Sequence, residues 1–187
     1  RLEASAVVAR QTEERGSVDG DGGAEPVSYL GWSAQGAVAG ERGRLGYRIG
    51  ADYARADYRD AVAAGGGVLN QDDRDYQSLA GFAQVGYRAL PDGGVFLAGR
   101  YGLVDFAAAA DDNGTNRDGQ NQSLVAGLAM DFGGITFGQV YPGWFAEQFD
   151  DAALEPVSGL LVGAEVMSNI TPLTTLTLRL DREAQAT

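Results

Sequence analysis

The sequence predicts an all-β protein, an antiparallel up-and-down transmembrane β-barrel with about nine strands in this chain. Three observations predict it. Strand-like segments follow one another along the chain, the connectors between them are alternately very short and very long, and the acidic residues gather in the long connectors. Barrels that span a membrane have tight turns on one side and long loops on the other. The chain therefore has the organisation expected of a membrane-spanning barrel.

The predicted strands follow in order from the first residues to the last. They are Glu3–Arg10, Val27–Ala39, Arg44–Ala54, Tyr76–Arg88, Val95–Asp105, Asn121–Phe132, Ile135–Phe145, Val157–Ser168 and Thr174–Asp181. The short connectors carry Gly or Pro, which favour turns; they are Gly40–Gly43, Leu90–Gly94, Gly133-Gly134 and Asn169–Leu173. The long connectors are Gln11–Pro26, a stretch through Gly65–Gly67 and Asp72-Asp73, Asp111–Gln120, and Glu147–Pro156.

Alternation of apolar and polar residues supports these strands, because a barrel strand presents one face to lipid and the other to the lumen. In the third segment, Leu45, Tyr47 and Ile49 alternate with Arg44, Gly46 and Arg48, and similar alternation marks residues 123–132 and 175–181. The pattern is weaker elsewhere. Glu3–Arg10 and Gly138–Phe145 show no clear face, and Val95–Phe106 places Phe96 and Val104 on the side that carries Arg100.

Composition excludes several kinds of chemistry. The 187 residues are enough for one domain, which we predict over residues 1–187 without a linker, and they include no Cys and no His, while all 14 basic residues are Arg. A thiolate nucleophile, a disulfide, a Ser-His-Asp triad, a zinc site of His/Cys type and a Schiff-base lysine are all excluded. We therefore expect no enzymatic activity, no cofactor and no metal site.

The net charge is −12, and most of the 26 acidic residues lie in the four long connectors. This negative field disfavours nucleic acid as a partner. No apolar run approaches the ~20 residues of a transmembrane helix. The sequence has no signal peptide, so we expect it to begin after processing or inside a longer protein. An odd number of strands and the absence of an aromatic terminal strand predict that the chain is part of a larger barrel, or closes with another chain.

Charged residues on the polar phase of the strands are predicted to line the lumen; they are Arg44, Arg48, Asp52, Arg88, Arg100, Glu165, Arg179 and Asp181. The Arg side chains could guide an anionic or polyhydroxylated solute, because guanidinium offers a planar fork of donors. The alternative is that they pair with Asp and Glu of neighbouring strands and only fill or stiffen the wall.

Aromatic residues near the segment ends are predicted to form two girdles at the membrane interfaces, namely Trp32, Tyr47, Tyr53, Tyr87, Tyr101, Phe132, Phe137 and Trp144. A carbohydrate-stacking platform is the alternative for Tyr141 and Trp144, beside Pro142-Gly143. The loop Asp111–Gly119 is rich in oxygen ligands but lacks the EF-hand spacing, so a solvated turn is expected there. The adjacent pairs Asp72-Asp73 and Asp150-Asp151 lie in acidic loops and are poor candidates for acid–base catalysis.

Most of the chain resembles the outer-membrane β-barrel porin family labelled "beta-barrel porin 2", and the last third does so most distinctively. The residues that carry the resemblance are Asp150–Leu154, Val157–Ala164, Asn169–Leu178 and Arg182-Glu183, and the turn Thr171-Pro172-Leu173-Thr174 is the most specific of them. The resemblance implies a barrel roughly twice this length, of which this sequence is the first half. It also implies a link to exopolysaccharide export for some members, and it brings no catalytic residues.

We therefore predict a passive conduit in the outer membrane of a Gram-negative bacterium, for exopolysaccharide export or solute diffusion. The alternative is a structural or anchoring barrel whose acidic external loops bind a partner or the surface matrix. A soluble β-sandwich or lipocalin-like binder is a third class, in which Leu45, Tyr47 and Ile49 would point into a core. The expected partners are outer-membrane lipid and lipopolysaccharide, polysaccharide or periplasmic export proteins, and other chains that complete the barrel.

Overall fold

The computed structural model describes residues 1–13, 26–63 and 65–182. Its strands, in chain order, are β1 (Leu2–Thr12), β2 (Ser28–Arg42), β3 (Leu45–Tyr58), β4 (Ala61–Val62), β5 (Val68–Leu69), β6 (Tyr76–Leu90), β7 (Gly93–Phe106), β8 (Gly119–Phe132), β9 (Thr136–Phe149), β10 (Val157–Thr171) and β11 (Thr174–Arg182). Among the described residues, all but β4 and β5 form one nine-stranded sheet in the order β1-β2-β3-β6-β7-β8-β9-β10-β11. Every pair in it is antiparallel. The all-β prediction is confirmed.

Short turns and long loops alternate as predicted. The turns at one end of this main sheet are residues 43–44, 91–92, 133–135 and 172–173. Gly43 has φ +63, in the left-handed region that a residue with a Cβ rarely adopts. In the last turn, Thr171 pairs with Thr174 around Pro172 and Leu173, and the Leu173 N–H donates to Thr171 Oγ1 at 3.2 Å. Pro172 has no N–H to offer a ladder, so a turn accommodates it.

The long loops lie at the other end of the sheet. They are the first (13–27, described only at 13 and 26–27), the second (59–75), the third (107–118) and the fourth (150–156). The second loop has structure of its own that the sequence did not predict: the small hairpin of β4 and β5 and a 3-10 turn at Asp72–Arg74.

The strands are longer than predicted, toward the long loops in β3 and β9 and toward the short turns in β2 and β10. β3 continues to Tyr58 rather than ending at Ala54, and β9 continues to Phe149 rather than ending at Phe145. The predicted end of β3 is the point where its apolar alternation fades. Cross-strand pairing continues beyond that point, because the backbone ladder does not require apolar side chains: Asp57 still pairs with Leu30.

The two faces of the main sheet differ in chemistry, and the register assigns each residue to one of them. Ile49 lies opposite Val38 on one side and Ala83 on the other, whereas Arg48 lies opposite Ala39 and Gln84. We call the face of Ile49 the apolar face and the face of Arg48 the polar face. The weak segments resolve in the same way: Val140 and Trp144 lie on the apolar face, and Tyr141 and Phe145 lie on the polar face.

The apolar face is the more exposed one, which inverts the usual arrangement of a water-soluble sheet. The side chains of Ile49, Leu79 and Leu124 are 58%, 55% and 53% exposed. On the polar face the side chain of Asp52 is only 21% exposed and that of Glu3 is 30% exposed. Large apolar side chains therefore face outward along the whole sheet.

β1 and β11 are the two edges of the main sheet, and they do not pair with each other in the described part of the chain. No helix formed by the described residues is long and apolar enough to cross a membrane.

Candidate functional site: the polar face and its long-loop mouth

The polar face is the concave face of the main sheet. Backbones two strands apart are separated by about 10 Å, yet polar-face side chains meet across that gap. Glu3 on β1 accepts a hydrogen bond from Arg48 on β3 at 3.1 Å, and the rings of Phe96 on β7 and Tyr141 on β9 are 6.3 Å apart between centroids. The lower exposure of this face has the same cause, because concave curvature brings its side chains together.

Most of the charged residues predicted to line a lumen lie together on this face. Arg48 pairs with Glu3, and Arg100 forms a bidentate pair with Asp52, with Nη2–Oδ2 at 2.7 Å. Arg88 lies 3.7 Å from Glu41. These three pairs bridge strands that are two apart in the sheet. The guanidinium groups are therefore partnered by carboxylates, as the structural alternative expects, rather than presented as a row of free cations.

Of the remaining predicted lumen residues, Glu165 and Arg179 fall on the same side of the main sheet. Glu165 accepts a hydrogen bond from Gln139 Nε2 at 3.0 Å and lies opposite Arg179 in the register. Arg44 lies in the turn between β2 and β3, at the edge of the groove described next. The side chain of Asp181 lies outside what the structure describes. Whether these groups line an aqueous passage stays a prediction.

A groove of about 690 Å³ occupies the short-turn end of the polar face. Its polar lining combines both signs of charge with side-chain amides, and Phe96 adds an aromatic ring; its lining includes Arg44, Gln84, Arg88, Asp131, Gln139 and Glu165. A second groove of about 530 Å³, near β1, shares Glu41, Gly46, Gln84 and Gly86 with it. Such a lining offers donors and acceptors to a hydrated, polyhydroxylated molecule. With Glu41 and Asp92 also in the lining, its carboxylates outnumber its guanidiniums, so the groove is weakly acidic.

Glycine lets aromatic rings lie flat on this wall. Phe96 is directly opposite Gly127, and a Cβ at Gly127 would lie 2.5 Å from Phe96 Cζ. Phe82 lies over Gly50 in the same way, also with 2.5 Å to a Cβ built there. Covering a strand glycine with an aromatic ring fixes register and curvature in sheets. These pairs therefore help to shape the concave surface on which the charged pairs lie.

The chain matches the family described as "Putative beta-barrel porin 2" over residues 1–187. It belongs to that family. The resemblance drawn from the last third of the sequence is thereby confirmed, and the match extends over the whole chain. No curated protein and no solved structure matches the chain.

Seven of the eight aromatic residues predicted as girdles lie on the apolar face of this porin-family chain. They form two groups according to their position along the strands. Tyr47, Tyr87 and Phe132 are near the short turns, and Trp32, Tyr53, Tyr101 and Trp144 are nearer the long loops. The assignment of Phe137 is wrong. It lies opposite Asp131 and Met167 on the polar face and lines the larger groove. The sequence could not show this, because β9 carries aromatic residues on both faces.

The apolar face changes character toward the long loops. Gln77 Nε2 donates to Asp105 Oδ2 at 2.8 Å, and Gln120 Nε2 donates to Gln148 Oε1 at 2.8 Å. Tyr101 donates its hydroxyl proton to Gln120. These hydrogen-bonding side chains form a row between the aromatic residues nearer the long loops and the loops themselves. The apolar part of this face therefore ends at that row.

The oxygen-rich third loop folds around its own carboxylate. Asp111 Oδ1 accepts the backbone N–H groups of Asn113 and Thr115, both at 2.9 Å. The Thr115 and Asn113 hydrogen bonds, with the nearby Arg117 guanidinium, hold the pKa of Asp111 below its ordinary value. In the fourth loop, backbone N–H donors from Ala153 and Asn116 lower the pKa of Asp151 likewise. Both carboxylates are therefore held in their charged form.

Two arginines of the long loops form contacts that the sequence analysis missed. Arg74 forms an ion pair with Glu13 of the first loop, and Arg117 lies 3.5 Å from Asp73 of the second. The signal was present in the sequence, since each arginine is followed by Asp and then by a strand: Arg74-Asp75 precedes β6, and Arg117-Asp118 precedes β8. Burial raises the pKa of Asp75. The hydrogen bond that Asp75 Oδ1 accepts from the Tyr58 N–H, at 2.6 Å, acts in the opposite direction.

Proposed function

We propose that this porin-family chain forms part of the wall of a transmembrane β-barrel in the outer membrane of a Gram-negative bacterium. We propose further that its polar face lines a passive passage for hydrophilic solutes. The role is not enzymatic. The apolar face meets membrane lipid, with lipopolysaccharide on the long-loop side. The short turns lie on the side where periplasmic export proteins could dock.

The observation that carries the proposal is the inverted exposure of the two faces. An apolar side chain left in water costs roughly 25 cal/mol per Å² of its apolar surface, and more than half the surface of Ile49, Leu79 and Leu124 is exposed. Lipid removes that cost, whereas water does not. The polar face carries charges and amides that need water or a partner. Lipid on one side and water on the other satisfy both faces.

Strand length also fits a membrane-spanning wall. A tilted transmembrane strand needs about 9–11 residues, while β6 has 15 and β8 has 14. The excess lies at the long-loop end, where Gln77 and Gln120 replace apolar side chains on the outward face. We place the upper boundary of the lipid at the level of Tyr101, which hydrogen-bonds Gln120.

Strand direction restricts how the wall closes. Because adjacent strands of the main sheet alternate in direction, β1 and β11 run the same way. Direct pairing of these two edges would be parallel, and so would the seams between two copies of the chain. Antiparallel closure needs an odd number of further strands, as in the even-stranded barrels of outer membranes. An open edge in lipid would cost several kcal/mol for each unpaired backbone group.

An uncharged or weakly charged polyhydroxylated solute suits the polar face best, and we propose exopolysaccharide in export as the solute. The groove offers the amides of Gln84 and Gln139, while the Arg48 and Arg100 guanidiniums are already paired. The acidic long loops would repel a strongly anionic polymer at the mouth. Diffusion of small neutral solutes uses the same surface.

A structural or anchoring barrel is the second candidate, and the paired charges favour it. Ion pairs that span two strands, such as Asp52–Arg100, tie the wall together without needing a solute. In this case the acidic loops are the working surface, and the polar face only fills the interior.

Ion conductance of the full-length protein in planar lipid bilayers separates the two candidates. The conduit predicts discrete conductance steps, and Asp52→Asn should shift ion selectivity toward anions, because Arg100 then keeps an uncompensated positive charge on the polar face. The matched control is Gln122→Ala on the apolar face, which should leave selectivity unchanged. Folded, inserted protein that never conducts would favour the anchoring barrel.

A further inference from the structure

Two of the long loops return to the main sheet through the same arrangement, which we call the Arg-Asp clasp. In the first clasp, Asp75 Oδ1 accepts the N–H of Tyr58 at 2.6 Å, and the guanidinium carbon of Arg74 lies 4.3 Å from the centre of the Tyr58 ring. In the second clasp, Asp118 Oδ1 accepts the N–H of Phe106 at 2.6 Å, and Arg117 lies 4.8 Å from the ring of Phe106. Each clasp thus contacts the aromatic residue that ends the strand leading into its loop, Tyr58 of β3 or Phe106 of β7.

Each clasp also reaches back to the loop before it. Arg74 pairs with Glu13 of the first loop, with Nη1–Oε2 at 3.3 Å. Arg117 Nη2 donates to the carbonyl oxygen of Asp73 in the second loop at 3.0 Å. Because Asp73 and Arg74 are adjacent residues, the contact that joins the first two loops leads directly into the contact that joins the next two.

The fourth loop is joined to the third by backbone N–H groups rather than by an arginine. The N–H of Asn116, the neighbour of Arg117, donates to Asp151 Oδ2 at 3.0 Å. A second contact supports it, from the N–H of Asp150 to the carbonyl oxygen of Asp118 at 2.8 Å. The described parts of the four long loops are therefore connected in series, twice through a clasp arginine and once through the neighbours of Arg117.

The first clasp differs from an ordinary surface ion pair in its shielding, whereas Arg117 of the second clasp is 31% exposed. The side chains of Arg74 and Glu13 are only 11% and 14% exposed. By contrast, Arg55 and Asp57, on β3, are 53% and 44% exposed at 3.8 Å. Removing one partner of a shielded pair leaves an uncompensated charge, whereas an exposed pair contributes little. Loss of a clasp arginine should therefore destabilise the contacts of neighbouring loops as well as those of its own loop.

The clasps also fix the direction in which the loops lean. Tyr58 lies opposite Tyr29, and Phe106 lies opposite Tyr76, with both clasp rings on the polar, concave face. The rings of Tyr29 and Tyr58 are stacked at 4.8 Å. An arginine that lies over such a ring lies over the concave side of the main sheet, so the loops that carry the arginines lean over its long-loop mouth.

We propose that the two Arg-Asp clasps lock the second, third and fourth long loops, together with Glu13 at the start of the first, into one cooperative layer. The second and third loops lean over the mouth of the polar face, and releasing either clasp loosens the layer and widens that mouth. The coupling of the loops follows from their contacts and does not depend on the proposed conduit. Only the widening of a conducting mouth rests on the proposed function.

Amide hydrogen exchange of the full-length protein, with Arg74→Gln, tests the coupling. Exchange should rise about tenfold or more in the second loop and also in the third, whose Arg117 contacts Asp73, while the centre of β8 stays protected. Arg55→Gln is the matched control and should change exchange in neither loop. A rise confined to the second loop, or equal rises in both variants, would overturn the proposal.

Arg117→Gln gives an independent test from the other side, in case Arg74→Gln does not fold. It should raise exchange in the second and fourth loops as well as its own, and unchanged second and fourth loops would overturn the proposal. Conductance separates this inference from the conduit. If wild-type protein does not conduct, the conduit fails and the exchange data still decide the coupling. If wild-type protein conducts and both Gln variants conduct identically to it, the widened mouth is overturned.

Discussion

A single added charge distinguishes the two faces of the main sheet. Ala126 lies on the apolar face, opposite Leu97, seven residues from the start of β8 and six from its end. At about 3.3 Å per residue, that is about 20 Å from either end, so Ala126 lies near the middle of the span. An Arg at the midplane of the lipid face costs about 2–4 kcal/mol. Ala126→Arg should therefore weaken folding in a bilayer by about 30- to 1,000-fold in the equilibrium constant.

Ala98→Arg is the matched control, because it makes the same substitution at a similar height on the polar face, opposite Gln84 and Val125. Water on that face should keep its effect within about 0.5 kcal/mol. Urea titration in phospholipid vesicles measures both, with fluorescence of Trp32 and Trp144 as the signal. With a slope of about 2 kcal/mol/M, Ala126→Arg should lower the midpoint by about 1–2 M. Equal midpoints for the two variants, or a larger loss for Ala98→Arg, would refute the assignment of the faces.

Two further predictions concern packing and pH. Gly127→Ala should destabilise the fold by about 1–3 kcal/mol, because a Cβ there meets the ring of Phe96. Gly81→Ala is the control and should destabilise it much less, because Gly81 has open space around it. Equal losses of stability by urea titration would contradict the packing of Phe96 on Gly127. Asp151, whose pKa is lowered from 3.8, stabilises the fold above that value and loses its effect as pH falls through the lower, folded pKa. Carboxyl NMR should then give a midpoint below 3.8, and a midpoint at or above 3.8 would show that the hydrogen bonds from the Ala153 and Asn116 N–H groups are absent.

Much of the fold could be predicted because a strand that separates two environments must alternate. The residues Leu45, Tyr47 and Ile49 carried that period, and the structure places them on one face. The alternation of connectors predicted the order of the main sheet, since tight turns join only neighbouring antiparallel strands. The turn at Pro172 was predictable for a local reason, namely the missing N–H.

The phase of a strand with apolar residues on both faces could not be predicted. In β9, Phe137 and Trp144 lie on opposite faces, and only the register with β8 assigns them. Contacts between residues distant in sequence were also out of reach: Glu3 and Arg48, or Glu13 and Arg74, meet because the sheet curves and the loops lean together. Periodicity in one segment carries no information about that curvature.

The central claim, that lipid lies on one face of the main sheet and water on the other, can be measured directly because the chain contains no Cys. Single cysteines at the consecutive positions 123, 124, 125 and 126 of β8 should react in alternation in the full-length protein in a bilayer. A water-soluble maleimide should label 123 and 125, and a nitroxide on the lipid chains should quench a fluorophore attached at 124 or 126. Uniform labelling of all four, or labelling of 124 and 126 by the water-soluble reagent, would contradict the account.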